Sequence, residues 1–290
     1  MTTQKPSGVF AVRRTMLLLG CMPIVLAFGI TSCGGGDGPR PPTSPQPPPT
    51  ITGLAITSST DLLKVNQSET FTLTATMSDG GTRTITGTWR SESPAIANVD
   101  SGGRVTGVGS GETAISAESN GARATPRTIR VLPDYQGRWS GDWRVAGCMA
   151  DGDWSRADIC RELPVGTLLP FGLALTQDRD TATGTVTLDD VAGPVQGSIR
   201  LAGQLGVGGT FTFTDEGITI DVSVTDWETT TTDNQRMTGR FVLVFRQATL
   251  RGSVRFDGEL RIVTKSAATP LSAAGRKGQL RRALDGVRRR

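Results

Sequence analysis

The chain has 290 residues with 31 Lys/Arg, 27 Asp/Glu and no histidine, for a formal net charge of +4. The absence of histidine removes the commonest general base, the usual partner of a nucleophilic Ser or Cys, and the commonest metal ligand, so most hydrolase schemes fail at the outset. Positive charge is concentrated before Cys33 and between Arg276 and Arg290, which leaves a net negative middle and gives no support to nucleic-acid binding by a basic face.

Arg13 and Arg14 precede an uncharged apolar run from Met16 to Ile30, too short to span a bilayer and of the right length for a signal peptide. At its end, Ile30-Thr31-Ser32-Cys33 resembles the lipobox of bacterial lipoproteins. The resemblance implies that residues 1–32 are a signal peptide and that Cys33 becomes the first residue of the mature chain, joined to diacylglycerol. Gly34 is similar to the outer-membrane sorting pattern of such proteins, with the inner membrane left as the alternative. Arg13-Arg14-Thr15-Met16-Leu17 also resembles a twin-arginine signal, but Val12 replaces the usual Ser or Thr and the later Lys is missing, so ordinary export is expected. Location in the cell envelope and a membrane partner at Cys33 follow as expectations.

Residues 33–50 form a Gly- and Pro-rich segment whose prolines favour extended polyproline II. From Pro39 to Thr50, at about 3.1 Å per residue, it reaches roughly 37 Å, enough to lift a domain clear of lipid headgroups.

Residues 51–132 read as short alternating strands, with Phe71, Leu73, Ala75 and Met77 on one face and Thr72, Thr74 and Thr76 on the other, before a turn at Asp79-Gly80-Gly81. Trp89, Ile96, Val99, Val105, Val108, Ile115 and Ala117 continue the pattern, which suits a two-sheet sandwich of about seven strands. Trp89-Arg90-Ser91-Glu92-Ser93-Pro94-Ala95-Ile96-Ala97-Asn98-Val99 and Gly103-Arg104-Val105-Thr106-Gly107-Val108-Gly109-Ser110-Gly111 through Ile115 and Ala117 resemble two linked motifs of the bacterial Ig-like domain of group 2, found in intimin- and invasin-like surface proteins. The resemblance implies a spacer or adhesion module, with no catalytic residue to carry over. The glycines at 107, 109 and 111 are turn glycines, because no helix signal or lysine follows to make a nucleotide loop.

Residues 134–265 carry a second set of alternating runs, beginning with Trp139, Trp143 and Val145 and ending with Val254, Phe256, Leu260 and Ile262 opposite Arg255, Asp257, Glu259 and Arg261. Eight one-sided strands joined mainly by short turns favour an up-and-down β-barrel, which removes both sheet edges; a second sandwich is the alternative. Gly137-Arg138-Trp139 is similar to the Gly-x-Trp start of lipocalin- and avidin-like barrels. The expected fold class is therefore all-β, an Ig-like sandwich followed by an eight-stranded barrel.

Cys148 and Cys160 are the two remaining cysteines of the exported chain and are expected to pair, closing a loop worth roughly 3 kcal/mol in the chain-entropy model. Within that loop Asp151, Asp153, Asp158 and Glu162 match no calcium-loop spacing and are expected to be solvated loop charges, so no metal, cofactor or catalytic residue is assigned. Trp154 in the loop and Trp227 beside the Thr229 to Asn234 turn are the candidate ligand contacts, set against burial under the loop as the expected fate. Residues 266–290 leave the strand pattern and are expected to form a solvated basic tail, although Leu280, Ala283, Leu284 and Val287 have helical spacing.

The function expected from these features is non-catalytic: a lipid-anchored envelope protein whose Ig-like module supports a barrel domain binding a glycan, small molecule or protein. A carboxylate-dependent enzyme such as a glycosidase, acting through two Asp or Glu residues across a groove, is the alternative.

Overall fold

The computed structural model describes residues 46–231, 233–266 and 278–286. The segment expected to be a signal peptide, Cys33 and most of the proline-rich segment lie outside the described residues.

From Ile51 the alternation of apolar and small polar residues produces eleven short strands: β1 (Ile51–Thr57), β2 (Leu62–Lys64), β3 (Ser68–Thr70), β4 (Thr72–Met77), β5 (Thr82–Ile85), β6 (Thr88–Ser91), β7 (Ala97–Val99), β8 (Arg104–Gly107), β9 (Gly111–Ser119), β10 (Ala122–Arg123) and β11 (Arg127–Leu132). One sheet has the order β1-β4-β5, a second β10-β9-β11-β2 with β6 also on β9, and a small third β3-β8-β7. Between them lies a core that buries Phe71, Leu73, Val105, Ile115, Ile129 and Val131. Trp89 is half-buried at its margin, under the Asp100–Arg104 turn. Glycine is required at Gly103, whose φ is +82° and where a Cβ would meet the Phe71 carbonyl at 2.4 Å and the Trp89 ring at 2.9 Å. Val108 does not continue the buried alternation expected of it. It is 49% exposed, because β8 ends at Gly107 and Val108 sits in the following turn.

The second half is a closed antiparallel barrel of β12 (Gly137–Ala150), β13 (Leu168–Asp178), β14 (Thr181–Leu188), β15 (Val191–Ile199), β16 (Gln204–Asp215), β17 (Ile218–Thr231), β18 (Arg236–Arg246) and β19 (Val254–Ser266). Consecutive strands pair, and β19 returns to β12 to close the wall, so the barrel and not the second sandwich is the architecture. The turns are tight where the sequence allows positive φ, as at Glu216 (+48°) and Gly217 (+82°) between β16 and β17. The inward alternation predicted for the last strand holds through Val254, Phe256 and Leu260. A register slip opposite Met237 and Gly239 then carries the buried face to Val263, while the Ile262 side chain lies outside the described residues.

The described residues from Pro48 onward form one compact unit, in which the two β-domains meet through the Leu132–Gln136 segment. Leu132 is fully buried in the barrel's core cluster, and Leu62 of β2 packs against that same cluster. The apolar face of the barrel points inward and the charged face outward, the reverse of a barrel that spans a membrane. Among the described residues no helix is long and apolar enough to cross a membrane.

Candidate functional site

The barrel interior is filled. Trp143, Phe171, Trp227 and Phe241 converge at mid-height, with Trp227 stacked on Phe241 at 5.0 Å between ring centroids and Trp143 tilted against Phe241 at 5.5 Å. Phe171 joins them at 5.8 Å from Trp227. Gly258 makes room for this group: a Cβ there would meet the Phe241 ring at 2.5 Å. These rings occupy the volume in which a hollow barrel would hold a ligand.

Both ends are closed. At the end facing the Ig-like domain, Gln177 is buried and holds the entering chain on both sides, accepting the Tyr135 N–H at 2.8 Å and donating to the Pro133 carbonyl at 3.2 Å. The Tyr135 hydroxyl donates to the Gly203 carbonyl at 2.6 Å, and burial pushes its pKa above the ordinary value of 10.0. Lys265 donates to the Asp134 carboxylate and carbonyl, both at 2.9 Å, and lies over the Trp139 ring. From the sandwich, Lys64 donates to Gln136 at 3.2 Å.

At the opposite end the β12–β13 connection folds over the barrel mouth as a 3-10 turn (Gly152–Ala157) and a short helix, α1 (Ile159–Glu162). Cys148 and Cys160 are joined there by a disulfide with Cα atoms 5.6 Å apart, the pairing expected from the sequence. Trp154, Ile159 and Leu163 turn inward and are buried. The loop carboxylates have local partners: Asp153 accepts the Arg251 N–H at 2.9 Å, Asp151 the Ser253 N–H, and Asp158 pairs with Arg161 at 2.7 Å.

A second helix, α2 (Gln279–Gly286), completes this cap, which corrects the expectation of a solvated tail for this part of the chain. Leu280, Ala283 and Leu284 are buried in the barrel's core cluster. The β14–β15 turn caps the helix N-terminus, with Asp190 accepting the Gly278 N–H at 2.9 Å and Asp189 the Leu280 N–H at 2.7 Å. Burial raises the Asp189 pKa, with the Leu280 N–H opposing it. Arg281 pairs with Asp190 at 2.9 Å and lies over the Phe213 ring. Burial of the apolar face and a cap from the barrel stabilise a helix too short to persist alone.

The concave surface is on the outside of the wall. A groove of about 1370 Å³ crosses the outer face of β15 to β19, and a second of about 780 Å³ extends it over β14 to β17; the two share Val207 and Asp226. Register slips between Leu205 and Gly209, Thr225 and Glu228, and Met237 and Gly239 bend the wall here. Asp226 stands at the middle slip with a φ of +48°. Beside it, Glu228, Arg240, Glu259 and Arg144 lie opposite one another on four neighbouring strands, an alternating row of charges. Arg240 pairs with Glu228 at 3.1 Å, Arg261 with Glu259 at 3.3 Å and Arg255 with Asp257 at 2.8 Å, while Arg144 also bonds Glu259. The arginines hold the Glu259 carboxyl below its usual range, the Arg144 hydrogen bond being the largest cause.

The two candidate tryptophans are brought together only in the sense that both are interior: Trp154 is fully buried under the capping loop and Trp227 is 4% exposed in the aromatic stack. Both have the burial expected as the alternative to ligand contact, and Trp227 lies under the floor of the outer groove that it lines. Cys33 lies outside the described residues. Among the described residues no three His, Cys, Asp or Glu side chains are grouped to hold a metal ion. The groove was not legible in the sequence, where its signal is the alternating charge of β18 and β19.

Comparison with known proteins gives a family for the first domain alone. No curated protein matches the chain. Among solved structures it is similar to "Structure of the S-layer protein SbsC, domains 5-6", at 15% identity and a TM-score of 0.26, over 72% of this chain and 97% of that one. It is similar also to "Structure of surface layer protein SbsC, domains 4-9", at 15% identity and a TM-score of 0.25, over 72% of this chain and 31% of that one. The family model of the bacterial Ig-like domain (group 2) matches residues 50–129. The first domain of the chain is thus a bacterial Ig-like domain of group 2.

Proposed function

We propose that the chain is a lipid-anchored envelope protein in which the Ig-like domain serves as a spacer and the barrel presents a binding surface on its outer wall. The observation that carries this reading is the filled and doubly capped barrel beside an open groove, which leaves the exterior as the place for a partner. The braced junction supports it: Gln177, Asp134, Lys265 and Lys64 tie sandwich, connection and barrel together, as a spacer that sets a direction requires. Lipid at Cys33 and the proline-rich segment supply attachment and reach in this reading.

The glycosidase alternative has less support. A general acid needs a raised pKa, whereas three of the four groove carboxylates, Glu228, Asp257 and Glu259, are each paired with arginine and Glu259 is shifted downward. Replacing Cys33 with Ser and fractionating cells tests the anchoring. The variant is expected in the soluble fraction with its fold intact, and retention in membranes would overturn lipid attachment.

A further inference from the structure

The charges lining the larger groove cancel. Arg200, Arg240, Arg255 and Arg261 stand against Asp226, Glu228, Asp257 and Glu259, so the groove has no net field to collect a polyanion or a polycation. The adjoining groove is almost uncharged and is lined by Thr183, Gln196, Thr210, Ser223 and Thr225, with Pro194 as an apolar patch. The first four of these side chains keep their hydroxyl or amide groups free of intramolecular partners among the described residues. Together the two grooves cross six strands, a span of roughly 24 Å at the usual strand spacing of about 4.8 Å.

We propose that this continuous groove binds a neutral polysaccharide chain lying across the outer face of β14 to β19, a ligand class that rests on the reading of the barrel as a presented binding domain. A polymer of vicinal hydroxyls carries a donor and an acceptor at each position and no charge. The groove supplies the complement: guanidinium groups that only donate, carboxylates that only accept, and hydroxyls and an amide that do both. Because the pairs Arg240–Glu228, Arg255–Asp257 and Arg261–Glu259 are each already neutral as a unit, a neutral ligand can bond to them without stranding a charge. An extended peptide fits less well, since every barrel strand is paired on both sides and no edge is open to an added strand. The rings nearest the groove, Trp227 and Phe241, lie beneath the wall, so recognition rests on hydrogen bonds and is strongest on a polymer that offers many repeats.

Native affinity electrophoresis of the detergent-solubilised full chain, in gels containing dextran, xylan or galactomannan, with a dextran sulfate gel as the charged control, tests the proposal. Retardation by at least one of the three is expected. Thr210→Val, which removes one groove hydroxyl at constant shape, should weaken that binding about three- to tenfold. Gly206→Gln should weaken it further by filling the groove; its Cβ has room, the nearest atom being the Trp227 carbonyl at 3.5 Å. Thr187→Val, on β14 but outside the groove, should leave binding unchanged, and unaltered melting temperatures establish that all three variants fold. Retardation by none of the polymers, equal retardation of the groove variants, or retardation confined to dextran sulfate would overturn the proposal, the last assigning the arginines to an acidic polymer. The two readings fail separately: a chain that binds polysaccharide but is released from membranes regardless of Cys33 loses its anchoring, and an anchored chain that binds none loses the ligand.

Discussion

The Asp189 carboxylate accepts the Leu280 backbone N–H at 2.7 Å across 91 residues of sequence, so a turn of the barrel acts as the N-cap of a helix that has no capping side chain of its own. Asp189→Ala is expected to cost about 1 kcal/mol and to speed hydrogen exchange in Gln279–Gly286. Asp189→Asn keeps an acceptor and should behave differently with pH. The folded pKa of Asp189 is raised, so its contribution to stability is fullest when it is protonated and is lost as pH rises through its folded pKa. The stability of Asp189→Asn relative to the parent should therefore increase from acidic to neutral pH; a difference that is flat or falls would show that burial is not the controlling cause.

Tyr135 is the single tyrosine of the chain, which makes its ionisation directly visible in ultraviolet absorbance. With its pKa raised above 10.0 by burial, the stability it contributes is complete below that value and declines at higher pH, where the unfolded state ionises first. Phenolate absorbance should appear together with unfolding. Tyr135→Phe, which removes the bond to Gly203, should cost about 1 kcal/mol at neutral pH and remove this alkaline dependence.

Replacing Cys148 and Cys160 together with serine should lower stability by about 3 kcal/mol, read as a lower urea midpoint. Trp154, buried beneath the same loop, gives a second readout: its fluorescence should shift to the red before the barrel itself unfolds, and simultaneous loss of both signals would show that the cap is not a separable layer.

Gln177→Ala should cost about 1–3 kcal/mol, because the Tyr135 N–H and Pro133 carbonyl are left buried without their partner. Small-angle scattering checks its structural effect: a wider distribution of end-to-end dimensions is expected from a loosened connection between sandwich and barrel, while an unchanged profile would assign the brace to Lys265 and Lys64 instead.

The all-β fold was legible because strand alternation is local. Phe71, Leu73 and Ala75 point inward as their spacing predicts, and so do Val254, Phe256 and Leu260. The pairing of Cys148 with Cys160 followed from their being the two cysteines left once Cys21 and Cys33 are assigned to the expected signal and lipid attachment. What could not be read locally depended on residues distant in sequence. Leu280, Ala283 and Leu284 have helical spacing, but their burial requires a barrel mouth, and their cap comes from Asp189. The groove was hidden for a similar reason: it arises from register slips around Asp226, and a slip belongs to a pair of strands rather than to either sequence. Gln177 looks like one more polar residue at a strand end until the Pro133–Tyr135 segment is laid across it.

The solid interior divides the labour of each wall strand between alternate residues. On β18, Phe241, Leu243 and Phe245 are buried in the barrel interior, while Arg240 and Thr238 are exposed in the groove. On the proposed reading, substitutions on the outward set would alter what the wall binds at small cost to folding, a freedom that a hollow barrel lacks because its ligand is held by the same residues that form its core. The chemistry of this wall can therefore change by single outward substitutions, each tested by selection without first being filtered through stability.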